Sequence, residues 1–313
     1  MPGTVAITGA TGFIGSHVLR RFAGLGWRVR ILTRRPPLNP IFAEAAFEAV
    51  LGDLQDERAL GRLLQGATAV VHCAGLIKAR SRAEFDAVNA TATGRLAALA
   101  AARPEPPRFV LLSSLAAREP GLSDYAASKR AGETAVAAAA GAMPWLAIRP
   151  PIVYGPGDRE TLPMFRSLAR GRLVLPRPRG RISLIHAEDL AAAIAAAAAC
   201  PLAGVACEVD DGRPGGYDWR EFAAIAAAAA GVPFHSVPLP RPVVAAAGLA
   251  SHWVSAMRGR PAIFGPGKVR EMFHPDWVCR PSPLQAEGWW QPRIGLAEGV
   301  AGTLAWYRAQ GWV

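Results

Sequence analysis

Apolar residues in the first half of the chain fall in short, nearly unbroken runs. TVAIT (4–8), WRVRILT (27–33), FEAVLG (47–52), ATAVVHCAG (67–75), RFVLLSS (108–114) and PWLAIRP (144–150) each predict a strand covered on both faces. The stretches between them carry helical spacing. Phe13 to Leu25 predicts a helix closed by Gly26, Arg82 to Ala102 a long helix closed by the proline-rich RPEPPR, and Tyr125 to Ala140 a third. Buried strands alternating with helices predict a parallel sheet with helices on both faces, a doubly wound α/β fold.

Beyond Pro150 the texture changes. Glycine and proline become frequent, helices are expected at 161–170, 187–199 and 218–230, and VACEVDD (205–211) predicts a strand. LAEGVAGTLAWYRAQG closes the chain as an amphipathic helix. No internal repeat is visible. The expected organisation is a dinucleotide-binding domain over 1–150 and a smaller, partly interleaved substrate-binding region over 151–313. The apolar stretch from Val243 to Met257, with Trp253, is expected to be a core helix.

Composition narrows the function classes. Of 313 residues 51% are hydrophobic, enough for a sizeable core, so disorder is excluded. No run has the length and apolarity of a membrane span, Leu190 to Ala199 being almost all alanine, and MPGTVAIT, without a charged start and an apolar stretch, is not expected to act as a secretory signal. A cytoplasmic location is expected. The net charge of +11 comes from 32 arginines against three lysines, spread along the chain with one short cluster at Arg177, Arg179 and Arg181. That pattern suits a pocket for an anionic ligand better than a nucleic-acid groove. The four cysteines form no CxxC pair and no metal-ligand spacing, so reduced thiols and no metal site are expected.

The chemistry is concentrated in two places. Gly9-Ala10-Thr11-Gly12-Phe13-Ile14-Gly15 directly follows the first strand and opens the first helix. Gly9 permits the tight turn, Gly12 lets backbone approach a pyrophosphate at the helix N-terminus, and Gly15 allows helix and strand to pack closely. These are the marks of a Rossmann-type dinucleotide site. At the end of the second strand stands Thr33-Arg34-Arg35, where an NAD site usually carries an acid. Arg34 suits a ribose 2′-phosphate, so NADP(H) is favoured over NAD(H).

The second place is Tyr125-Ala126-Ala127-Ser128-Lys129. The i, i+4 spacing puts phenol and ammonium on one helix face, where the cation lowers the cost of moving the tyrosine proton. The helix N-terminus, capped by Ser123 or Asp124, acts in the same sense. Lysine is scarce here, which sets Lys129 apart from a random surface charge. Ser113 and Ser114, at the end of a buried strand, supply a hydroxyl at the sheet edge where ligands sit in this architecture.

TGATGFIG, Gly52-Asp53-Leu54, HCAG (72–75), Asn89, the serine pair, YAASK, RPPIVYGPGD (149–158) and IHAEDLA (185–191) occur in one order. Together they resemble the extended short-chain dehydrogenase/reductases, the NAD(P)-dependent epimerase/dehydratase group. The resemblance implies that Asp53 and Leu54 contact the adenine side of the cofactor, Ala74 and Gly75 its middle, and Ile152 and Val153 the nicotinamide. It implies cofactor contacts from Gly9, Thr11, Gly12, Phe13, Ile14, Gly15 and Arg34. Tyr125 would be the acid/base, Lys129 would hold the nicotinamide ribose, Ser114 would bond the reacting oxygen, and Asn89 would steady the active-site helix. His186 and Tyr154 are given packing roles only. A homodimer through the helices near 82–102 and 125–140 is also implied, with Ala135 and Ala137 to Ala140 allowing close approach.

Departures shape the expected reaction. Leu115-Ala116 follow Ser114 where sugar-nucleotide dehydratases carry an Asp-Glu pair, which disfavours dehydration. Ile182-Ser183 replace the Arg-Asp found in many UDP-sugar epimerases, although Arg181, a candidate substrate contact, is one place earlier. The first expectation is hydride transfer between nicotinamide and a CH–OH or C=O carbon of an alcohol or ketone. A nucleotide-sugar 4-epimerase with retained NAD is the alternative, and a catalytically idle NADP-binding subunit the alternative of another class.

Overall fold

The unbroken apolar runs pair side by side. In the computed structural model, which describes residues 3–36, 45–176, 180–233, 235–258, 261 and 264–313, seven parallel strands form one sheet. Six are β1 (Thr4–Thr8), β2 (Arg28–Thr33), β3 (Glu48–Leu51), β4 (Ala67–His72), β5 (Arg108–Leu112) and β6 (Trp145–Arg149). The seventh, Val205–Glu208, lies at the edge beside β6, and the order continues β5, β4, β1, β2, β3. The chain therefore reverses its direction of winding between β1 and β4, and ligands bind at such a switch point in open α/β sheets.

Helices α1 (Phe13–Gly24), α2 (Glu57–Leu64), α3 (Arg82–Asp86), α4 (Thr93–Ala101) and α5 (Asp124–Ala139) connect these strands. α2 shows why each forms where it does: Asp56 caps it by accepting from the Ala59 amide at 3.0 Å, and Leu60, Leu63 and Leu64 repeat on one buried face. They pack with Val70, Phe109, Leu96 and Val136 into one apolar cluster.

Two compact units result. The first comprises Met1–Arg149, Ala191–Glu208 and Pro281–Trp290, and holds the whole seven-stranded sheet. The second comprises Pro150–Leu190, Val209–Arg280 and Gln291–Val313. Short pairings tie it together: β7 (Ile152–Tyr154) runs parallel to Leu184–His186, and Arg181–Ile182 lies between Tyr217–Asp218 and Asp276–Trp277. Its core gathers Tyr154, Phe165, Tyr217, Phe222, Leu304 and Tyr307. Later helices are α6 (Leu162–Ala169), α7 (Ala187–Ala199), α8 (Trp219–Ala230), α9 (Arg241–Met257) and α10 (Pro266–Met272). Arg177 and Arg179 lie outside the described residues.

Four departures from the sequence expectation are the most telling. The helix expected over 82–102 is broken by a π-helical segment, Ala87–Ala92, between α3 and α4. A π-bulge admits an extra residue and redirects side chains, here around Asn89. The strand expected over 108–114 stops at Leu112, because Ser114 turns the chain by capping a 3-10 segment, Leu115–Arg118. The strand expected over 205–211 stops at Glu208, where Asp210 and Asp211 accept from the Gly212 and Arg213 amides and close a turn.

The fourth is a correction. Val243 to Met257 is helical but is not a core helix. Val244 and Gly248 are buried, while Val243, Leu249, Trp253, Val254 and Met257 are exposed, Met257 at 86%. The stretch has a buried stripe too narrow to hide its remaining apolar side chains.

Candidate active site

The glycine turn after β1 is built by close backbone contact. Gly9 has φ +71°, and a Cβ there would lie 2.5 Å from the Ala74 nitrogen, so only glycine fits. A Cβ on Gly15 would lie 2.0 Å from the Gly9 carbonyl oxygen, which drives the α1 start against the turn. The Gly12 amide donates to that oxygen at 3.0 Å. No side chain caps α1 and no acid stands in its first turn, while Thr11 and Gly12 are exposed and Phe13 and Ile14 half-buried. An uncapped, positively polarised helix end with no Cβ over it fits a dinucleotide pyrophosphate.

The other candidate cofactor residues line the carboxyl ends of neighbouring strands. Arg34 follows β2 and is exposed. Asp53 follows β3, and its Oδ1 accepts from the Gln55 and Asp56 amides at 2.8 and 3.2 Å, which fixes the loop. Leu54 packs on the first-unit core. Ala74 and Gly75 follow β4; the Ala74 amide donates to Thr8 Oγ1 at 3.3 Å. A Cβ on Gly75 would lie 3.1 Å from Asn89 Oδ1 and 3.7 Å from Lys129 Nζ. The fold thus brings Gly9, Arg34, Asp53, Gly75, Ser114 and Lys129 to one edge of one sheet. Ile152 and Val153 belong to the second unit, where both are half-buried in β7 opposite Leu184 and Ile185.

α5 begins at Ser123, whose Oγ accepts from the Ala126 amide at 3.0 Å, so of the two capping candidates the serine takes the role. Tyr125 is half-buried with its ring 6.0 Å from that of Phe85. One turn on, Lys129 Nζ donates to the Leu112 carbonyl oxygen, at the end of β5, at 2.6 Å. Burial pulls the Lys129 ammonium down to about 8, against the opposing influence of Cys73 and Glu133. Burial raises the Cys73 thiol to about 12, so it rests as a thiol rather than a nucleophilic thiolate.

Asn89 locks this helix to the strand end. Its Nδ2 donates to the Leu76 carbonyl and to Ser128 Oγ, each at 2.9 Å, while its Oδ1 accepts from the Leu76 amide at 2.7 Å. Ser128 Oγ donates to the Tyr125 carbonyl at 2.8 Å. Gly132 makes the contact possible, since a Cβ there would lie 2.3 Å from the Asn89 carbonyl oxygen. Ser114 Oγ accepts from the Ala116 amide at 3.2 Å. Its neighbour Ser113 is buried and donates to Glu133 Oε1 at 2.5 Å.

Sequence reasoning missed the charged layer behind these groups. Glu133, a further turn along α5, accepts from Arg149 Nε at 2.8 Å and Nη2 at 2.5 Å in a forked pair. Arg118 pairs with Glu208 at 3.1 Å, and all four side chains are almost fully buried. The signal was the repeat Tyr125, Lys129, Glu133 at spacings of four. His72 was also passed over: it joins Thr8 Oγ1 at 2.6 Å to Thr93 Oγ1 at 2.9 Å, and burial holds it neutral with a value of about 3.

Arg181, the candidate substrate contact, lies in the second unit. Its guanidinium donates to the Gly215 and Gly216 carbonyls at 2.5 and 2.8 Å and stands 3.8 Å from Glu221. His186 is buried, its ring 5.5 Å from that of Tyr154, and burial lowers its value. Of the alanines expected at a dimer contact, Ala140 belongs to the core and Ala135 faces Gly94, whereas Ala137 and Ala138 are exposed. Among the described residues no three His, Cys, Asp or Glu side chains cluster to hold a metal, and no helix is long and apolar enough to cross a membrane.

The chain has known relatives. Ceramide reductase of Caulobacter vibrioides is 47% identical over 99% of this chain and 96% of its own length. Sterol-4-alpha-carboxylate 3-dehydrogenase of Saccharomyces cerevisiae is 26% identical over 51% of this chain and 49% of its own. Among solved structures, gox2253 superposes with a TM-score of 0.78 at 22% identity, covering 99% of both chains. MoeE5 in complex with UDP-glucose and NAD does so at 0.75 and 21%, covering 98% of this chain and 99% of that one. The model of the NAD dependent epimerase/dehydratase family matches residues 5–209. This chain belongs to the NAD-dependent epimerase/dehydratase family and is an NAD(P)-dependent enzyme of it.

Proposed function

We propose that this enzyme is an NADP(H)-dependent reductase that interconverts a ketone and a secondary alcohol on a long-chain amide lipid. The observation that carries the chemistry is Lys129 anchored on Leu112 one turn beyond Tyr125 and beside Gly75. The identity to ceramide reductase along nearly the whole chain supports the substrate class and favours reduction over 4-epimerisation. Leu115-Ala116 after Ser114 leave no second acid/base pair at that place for dehydration.

The turn from Gly9 to Gly15 would hold a nicotinamide dinucleotide, which would supply hydride chemistry at the substrate carbon; the chain's own residues manage the oxygen and its proton. In the reducing direction Tyr125 Oη gives its proton to the substrate oxygen, and the Ser114 hydroxyl holds that oxygen by a hydrogen bond. The Lys129 ammonium stabilises the phenolate left behind, which is then reprotonated from solvent. Asn89 and the Glu133–Arg149 pair are positioning residues for α5.

Tyr125→Phe is expected to lower turnover by about 10²–10⁴-fold while leaving cofactor affinity nearly unchanged. A variant as active as wild type removes Tyr125 from the chemistry, and a wild type that binds cofactor yet turns over no ketone or alcohol is an idle binding subunit. Arg34→Ala is expected to weaken NADPH binding by about tenfold or more and to leave NADH binding unchanged. Equal affinity of the wild type for the two cofactors overturns the NADP(H) assignment. Tightly retained NAD that survives dialysis, together with a raised melting temperature in UDP-glucose, overturns the reductase in favour of the epimerase. The protein is also proposed to be a homodimer, and a scattering mass near 33 kDa overturns that.

A further inference from the structure

α9 is 17 residues long and is flanked by Arg241 at its start and Arg258 just beyond its end. At 100° per residue, Val243, Ala246, Leu249, Ala250, Trp253, Val254 and Met257 fall on one broad face. All seven are exposed, Trp253 at 67% and Met257 at 86%. The opposite side is the packed one: Val244 is buried, and a Cβ on Gly248 would lie 2.7 Å from Val269 Cγ2 of α10. The helix therefore turns its larger apolar side chains to the outside.

Charge selects what meets that face. Between Glu221 and Glu271 the chain has no acidic residue and five basic ones, Arg241, Arg258, Arg260, Lys268 and Arg270. Among the described ones, Arg241, Arg258 and Arg270 are exposed, and Lys268 keeps 60% of its side chain exposed while pairing with Glu271 at 3.1 Å. An apolar helix face carrying a tryptophan, in a stretch of chain whose charged residues are all cations, is complementary to an anionic phospholipid surface. The headgroups meet the arginines while Trp253, Leu249 and Met257 enter the acyl boundary.

We propose that α9 lies in the plane of an anionic membrane as an interfacial helix and docks the enzyme there without spanning. This goes beyond the proposed reaction and stands whether or not the substrate is a lipid.

The test is flotation of the full chain with vesicles of phosphatidylglycerol and phosphatidylcholine, and with phosphatidylcholine alone. Wild type is expected to float with the anionic vesicles and to be released by high salt, and Trp253→Ser with Met257→Ser to lower the bound fraction about tenfold. Arg241→Glu with Arg258→Glu is expected to do the same at low salt while leaving the apolar face intact. Each variant is checked for an unchanged melting temperature and unchanged NADPH affinity, so that loss of fold is not read as loss of docking. Wild type that stays with the soluble fraction overturns the proposal, as does a face variant that floats like wild type. A wild-type dimer that the face variant makes monomeric, with no vesicle binding by either, assigns the face to a second copy of the chain instead.

Discussion

α5 and α9 are near twins in length, share a richness in alanine and are opposites in use. α5 has 16 residues and α9 has 17, and both are rich in alanine. α5 keeps ionisable side chains on its inward side, where Lys129 meets the Leu112 carbonyl and Glu133 the fork of Arg149. α9 turns tryptophan, leucine and methionine to the outside. Alanine makes each segment helical and says nothing of its role. What separates them is partners: α5 lies against a sheet edge that offers a carbonyl and an arginine, whereas α9 packs on α10 along one narrow stripe. A buried charge with a partner is held to one geometry, and an exposed apolar face is available to another surface.

Substitutions on the two helices should therefore behave differently. The largest effect on stability is expected at Glu133. Glu133→Ala leaves the Arg149 guanidinium and the Ser113 hydroxyl without their partner and should cost about 3–5 kcal/mol in denaturant unfolding. A loss below about 1 kcal/mol would mean that α5 is held by its apolar side alone.

Lys129 gives a smaller, pH-dependent effect. Its folded-state value, pulled down to about 8, lies below the ordinary lysine value of 10.5. Between these limits the unfolded chain binds the extra proton, so the apoprotein should become more stable as pH rises from 8 towards 10.5, by roughly 2 kcal/mol after solvent screening. Below pH 8 both states are protonated and the contribution is flat. Lys129→Met should remove the rise; unfolding curves for both proteins at pH 7, 8.5 and 10 check it.

The smallest effect is expected on α9. Trp253→Ser and Met257→Ser should each change unfolding free energy by no more than about 0.5 kcal/mol, because the side chains are already in solvent. A loss of several kcal/mol from either would show that α9 is covered in the folded protein and would erase the contrast with α5.

Much of the first unit was legible because its signals are local. The turn at Gly9 to Gly15, a cap at Ser123 or Asp124 and the Tyr125–Lys129 spacing each span one turn of chain, and each owes its form to short-range sterics or helix geometry. The unbroken runs announced a parallel sheet because a strand covered on both faces has no polar alternation. The π segment around Asn89 was not legible: it depends on Gly132 of α5 approaching the Asn89 carbonyl, a contact between residues 43 apart. The role of Glu133 was not legible either, because it depends on Arg149, from β6, reaching it.

The second unit shows the limit most clearly. Its pairings join two- to five-residue strands distant in sequence, such as Arg181–Ile182 with Asp276–Trp277, and so short a strand leaves no period to read. Arg181 offered a spare cation in the sequence; the fold turned it to the carbonyls of Gly215 and Gly216. The sequence by itself determined the sheet, the glycine cradle and the tyrosine–lysine face, because those follow from backbone sterics and periodicity within a few residues. Only the tertiary structure decided which charges are paired and which apolar face stays bare. Both depend on what distant segments place opposite a side chain, and burial, not identity, sets the free energy of a lysine, a glutamate or a tryptophan.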